Sequence, residues 1–136
     1  MVPMIAGVIL SGVVFGAARV SGFIRERLFA PILLIFIAVF YIVFAVQDRR
    51  TDIVIYETLV FIVFFMVAYK SFYGSLYLAV VGLVLHGMYD FMHNYFFINR
   101  GIPVWFPQFC MTFDILFAVF LLLYFKNQKK SDVFFW

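Results

Sequence analysis

Five apolar stretches, kept apart by the chain's few charges, dictate what this sequence can fold into. They run about 2–18, 28–46, 53–69, 72–93 and 107–125. A helix needs about 20 residues to cross a hydrocarbon core about 30 Å thick. The first and third stretches are short, but a span can snorkel its flanking residues or thin the bilayer around it. Strands are a poor alternative, because the segments do not alternate and are too few to close a barrel. The expected fold is therefore all-α, a single polytopic bundle of about five transmembrane helices covering residues 1–136.

Composition says the same by another route. Hydrophobic residues make up 67% of the 136 positions and charged residues 12%, against about 45–50% and about 25% in soluble domains. A soluble chain this short has too little interior to hide that much apolar surface. A bilayer removes the problem by serving as the apolar solvent. Residues 1–20 lack the basic region that opens a secretory signal, so the first stretch is expected to stay as a helix. Whether it crosses fully or re-enters is left open; re-entry would leave four spans, with both termini on one side.

The ten Lys and Arg residues lie between the apolar stretches, which is a topology signal and not a nucleic-acid footprint. The expected partner is the lipid bilayer, and no nucleic-acid partner is expected. With five spans, Arg19, Arg25, Arg27, Lys70, Lys126, Lys129 and Lys130 share one side, and Arg49, Arg50 and Arg100 the other. Positive charge stays cytoplasmic, which puts the N-terminus outside and the C-terminus inside. The C-terminal lysines then face anionic headgroups, with Phe134, Phe135 and Trp136 placed for the interface. In span one, Gly12-x-x-x-Gly16 has the spacing that lets two helix backbones touch, and internal packing is the expected use. Cys110 is the single cysteine, so no intrachain disulfide can form.

Ionisable residues inside spans carry the functional information, because they are costly in lipid and turn inward to a partner, a cavity or a metal. Span four carries His86, Asp90 and His93, which fall within about 60° of one another at 100° per residue. Ser75 and Gly82 continue the stripe, so this face is expected to point into the bundle. Leu76, Val80, Leu83, Val84 and Phe91 are expected to face lipid. Span five adds Cys110 and Asp114 at i and i+4, and span three adds Glu57. At about 1.5 Å per residue, Glu57, Asp90 and Asp114 lie roughly 5–10 Å below the outer boundary.

A carboxylate at mid-span costs about 2.5–3.5 kcal/mol on insertion scales, less near an interface. Something must offset three of them, and no Lys or Arg lies within spans three to five away from their ends. A metal ion, protonation or imidazolium partners remain. Imidazole nitrogen with carboxylate oxygen suits Zn, Fe or Mn as divalent ions. The expected ligands are His86, Asp90, His93 and Asp114, with Glu57 as general base. The loop 94–107, rich in aromatic residues and proline, reads equally as a lid that selects a lipid-like small molecule or as an interfacial anchor.

The pattern His86-Gly87-x-x-Asp90-x-x-His93, Pro103-x-Trp105-x-Pro107 and Cys110-x-x-x-Asp114 resembles the signature of a family of small bacterial multi-pass membrane proteins of unknown function. The resemblance covers roughly residues 82–120. Several members carry a second His after the His93 position, where this chain has Asn94. It implies a shared polar site in a bacterial cytoplasmic (inner) membrane and no particular activity. More distantly, His and Asp on neighbouring helices near one membrane face resemble membrane metallohydrolases of the alkaline ceramidase type, which have seven spans and more histidines. Three functions follow as expectations: a metal-dependent enzyme on a hydrophobic substrate, a proton- or cation-translocating component, or an accessory subunit of a larger complex. A homo-oligomer is compatible with each.

Overall fold

The computed structural model describes residues 1–96 and 98–131, with the side chains of Asn94, Lys129, Lys130 and Ser131 left aside. Phe134, Phe135 and Trp136 lie outside the described residues. Five α-helices follow one another: α1 Val2–Ser21, α2 Phe29–Asp48, α3 Thr51–Tyr73, α4 Tyr77–Phe96 and α5 Phe106–Ser131. A short 3₁₀ turn, Phe23–Arg25, links α1 to α2. Pro3 and Pro31 sit in first turns, where a missing N–H is harmless. Gly22 ends α1 in the left-handed region at φ 84°, which glycine adopts without strain.

Four of these helices, α1, α2, α3 and the Phe106–Gln128 part of α5, are long and apolar enough to cross a membrane. In α1 and α3 only 17% and 22% of the apolar window is buried by protein. The remainder faces outward as Val, Ile, Leu, Phe and Met, a surface that water would not tolerate and lipid would. The chain is therefore built as a multi-pass membrane protein. The remaining helix, α4, which carries His86, Asp90 and His93, is not among these four, where five spans were expected.

Sequence and structure part at three places. The break before α4 falls at Gly74, not at Lys70-Ser71; α3 runs on through Tyr73, and Lys and Ser can continue a helix where Gly ends it. Arg27 then covers the α3 end, donating from Nε to the Phe72 carbonyl at 2.5 Å and from its guanidinium to the Gly74 carbonyl. Second, Leu76, Val80 and Leu83 are buried, and not turned to lipid. The reason is position: α4 packs against α2, α3 and α5, so more than one of its faces is covered. Its outward stripe is Leu78, Val81, Leu85, Met88 and Met92, at helical spacing. Ser75 is exposed as well, leaving the inward polar stripe to begin at Gly82.

Third, Gly12 and Gly16 meet open space, and it is Gly7 that packs. A β-carbon on Gly7 would come within 2.7 Å of the Phe109 carbonyl oxygen and 3.2 Å of the Phe113 nitrogen. Backbone atoms cannot step aside, so α1 must move off α5. Gly7→Ala is expected to lower stability by about 1–3 kcal/mol, the usual overpacking range, while Gly12→Ala is expected to change it little. Unfolding midpoints of both variants in mild detergent check this, and equal midpoints would refute the close α1–α5 contact.

Candidate metal centre

Asp90 lies six residues before the end of α4, Glu57 six after the start of α3, and Asp114 eight after the start of α5. At 1.5 Å per residue these positions are about 9–12 Å from their helix ends. Those three ends lie on the same side of the bundle, because α3, α4 and α5 alternate in direction. The carboxylates therefore occupy one layer. Glu57, His86, Asp90, His93 and Asp114 are all at most 2% exposed.

Within the layer the structure sorts them into two groups. One donor atom from each of His86, Asp90 and Asp114 lies within 4.8 Å of the others. His86 Nδ1 is 2.6 Å from Asp114 Oδ2 and 3.5 Å from Asp90 Oδ2. His86 and Asp90 meet because they are one turn apart on α4, and Asp114 arrives from α5, the partner against which α4 packs most extensively. His93 joins Glu57 instead, with Nε2 2.5 Å from Oε1. Glu57 also accepts from Tyr89 Oη at 2.9 Å and from Asn99 Nδ2 at 3.2 Å. The five groups share a level, as the spacing implied, but His93 stands with Glu57 and outside the triad.

Tyr41 of α2 ties the two groups together. Its hydroxyl donates to Asp90 Oδ1. Its ring stacks on the His93 imidazole, with centroids 4.7 Å apart and planes 11° apart. Its carbonyl accepts from Asn99 Nδ2 at 3.2 Å. Neither Tyr41 nor Asn99 was marked out by spacing, since one lies in an otherwise apolar span and the other in a loop. The signal for Tyr41 was available: it is the one hydroxyl between Phe29 and Val46, and a buried hydroxyl needs a partner. Asn99 closes the layer from the α4–α5 loop and is 5% exposed, while Ile98, Val104 and Trp105 of the same loop are exposed. The loop is thus pinned at its middle and greasy at its edges.

Two carboxylate oxygens in the triad, Asp90 Oδ2 and Asp114 Oδ1, are buried without a hydrogen-bond partner. A buried carboxylate oxygen left bare costs several kcal/mol unless a proton or a cation meets it. The donor set of one imidazole and two carboxylates suits a borderline divalent ion. Bonds of about 2.0–2.2 Å to one ion place its ligands up to about 4.4 Å apart, so small movements of these three side chains would close around it. No family model, curated protein or solved structure matches this chain; the resemblance over residues 82–120 therefore rests on its motif residues alone.

Proposed function

We propose that the chain is a membrane metalloprotein of the bacterial cytoplasmic membrane, N-terminus outside, with a divalent Zn, Fe or Mn ion held by His86, Asp90 and Asp114 in the outer half of the bilayer. The observation that carries this reading is the buried cluster of one imidazole and two carboxylates, in which Asp114 Oδ1 has no hydrogen-bond partner and Asp90 Oδ2 has only His86 Nδ1, at 3.5 Å. In that arrangement His93 serves Glu57, and is not a fourth ligand. Glu57, its carboxylate fixed by His93, Tyr89 and Asn99, takes the role of general base in this reading. An ion bound there supplies Lewis acidity to whatever the site takes in. Elemental mass spectrometry of protein purified in mild detergent, without chelator or a metal-binding tag, tests the assignment. A well-folded, metal-free protein would end it.

Tyr41 then acts from outside the ligand set, orienting Asp90 through its hydroxyl so that Oδ2 is left for the ion. Loss of such outer partners costs about 10–100-fold in metal affinity. Tyr41→Phe keeps the ring stacked on His93 and removes only that hydrogen bond, and the same loss of affinity is expected. Competition titration against a chelating dye measures it, and unchanged affinity would show Asp90 to be oriented by packing alone.

A second reading is favoured by the Tyr41 bridge itself, which joins two groups of ionisable side chains into one buried set across α2–α5. Such a set suits proton handling. Beyond the layer, however, the described core turns to Leu76, Ala79, Leu83, Phe117, Leu121 and Phe125. A relay would therefore need motion or a partner to reach the inner side. Proton flux in vesicles that disappears with Asp114→Asn supports the relay; flux unaffected by that change excludes it.

A further inference from the structure

The triad is buried, with Asp90 also lining a cleft beside Met4, Val104 and Gln108, and on the other side of α5 lies a second space lined almost wholly by apolar side chains. A cavity of about 330 Å³ lies between α1, α2 and α5. Leu10 and Phe36 stand at its mouth, 40% and 59% exposed, and Ile37, Phe106, Cys110 and Phe113 form its buried floor. Cys110 belongs to both places. It sits one turn before Asp114 on the same face of α5, and it also lines the cavity floor.

We propose that this cavity receives one hydrocarbon chain of a membrane lipid, laid alongside the polar triad with Cys110 as the partition. Two observations select that occupant. The mouth faces outward between two helices long and apolar enough to span, where bilayer hydrocarbon is the surrounding medium. Apart from the weakly hydrogen-bonding Cys110 thiol, the lining side chains are aliphatic or Phe, so a peptide or sugar would leave its polar groups bare, whereas a chain leaves nothing unmet.

The register brings the chain to the site. Phe106 to Phe113 on α5 and Leu33 to Phe40 on α2 each span about 10 Å, the stretch that includes Cys110 and ends beside Asp114. A lipid seated there has its chain beside the triad's depth, and its head on the outer side, at the loop that carries Val104 and Trp105. The substrate class implied for the centre is then a molecule with at least one long hydrocarbon chain. This last step rests on the metal reading; the chain-binding cavity does not.

The test is photolabelling. Protein reconstituted in phosphatidylcholine vesicles with a tracer of phosphatidylcholine carrying a mid-chain diazirine is irradiated, and the labelled residues are mapped by mass spectrometry. Label is expected to concentrate several-fold on Leu33, Phe36, Phe40 and Phe109 over Ile62, Val63 and Met66, which face outward on α3. Leu10→Trp, and separately Val14→Trp, are expected to lower that label to the α3 level by filling the mouth. Uniform labelling of all outward residues, or enrichment that both plugs leave intact, would overturn the proposal. Metal content measured on the same samples separates the two readings. Concentrated label on metal-free protein sinks the metal and keeps the cavity; uniform label on metal-loaded protein does the reverse.

Discussion

Protein carrying His86→Ala is expected to leave purification without its divalent ion, its affinity lowered by more than about 100-fold. The magnitude follows from position: even partners that only orient a ligand cost about 10–100-fold when lost, and His86 would be the triad's one nitrogen ligand. Asp114→Asn is the sharper variant. It keeps the side chain's shape, and its amide oxygen can still accept from His86 Nδ1, so the α4–α5 contact survives. What it loses is a charge and a ligand oxygen. If the triad were only a hydrogen-bonded tie between helices, Asp114→Asn would fold like the parent and neither protein would hold metal. If it is a metal centre, the parent carries about one ion and the variant does not. Stability gives an independent reading, since ligand present at about 1,000 times its Kd stabilises by about 4 kcal/mol. Chelator should therefore lower the unfolding midpoint of the parent and leave those of both variants unmoved. Equal metal content in all three proteins would falsify the assignment.

The helices were legible because a bilayer allows so few solutions. Unbroken apolar stretches between charges can only be helices that satisfy their own backbone, and α1, α2, α3 and α5 lie where those stretches do. The faces of α4 were legible in part: His86, Asp90 and His93 do turn inward and Phe91 outward, but Leu76, Val80 and Leu83 are buried as well. Reading one polar stripe inward and its opposite outward assumes a helix at the edge, and α4 sits in the middle, so Leu76 and Leu83 are as buried as His86. The triad was readable from spacing, because i, i+4 pairs on α4 and α5 bring His86, Asp90 and Cys110, Asp114 onto single faces. The choice His93 makes was not readable. It lies three residues after Asp90 and seven after His86, near enough to either group, and is decided by where α3 presents Glu57. That depends on helix packing, on which one helix's spacing is silent. Asn99 was invisible for a related reason: a loop residue acquires its partners only after two distant helices have met.

Glu57→Ala is expected to be the most destabilising single change in the polar layer, by about 3–5 kcal/mol, the range for removing one partner of a buried ion pair. Its carboxylate accepts from His93, Tyr89 and Asn99. Truncation takes an acceptor away from all three donors in a buried layer, with Asn99 keeping only the Tyr41 carbonyl, and each unmet N–H or O–H adds its own desolvation cost. Glu57→Gln should lose less, because the amide oxygen can keep His93 and Asn99 while Tyr89 turns its hydroxyl to accept from the amide nitrogen. The double change Glu57→Leu with His93→Phe should recover much of the loss, since replacing both partners by apolar groups leaves no orphaned charge. Unfolding midpoints in mixed micelles measure the series, and hydrogen exchange locates it. Faster exchange should appear at 98–102, because Asn99 pins that loop to Glu57 and to the Tyr41 carbonyl. A Glu57→Ala protein within about 1 kcal/mol of the parent would mean that apolar packing alone holds α3 against α4. The polar layer would then exist for what it binds, with no part in holding the bundle together.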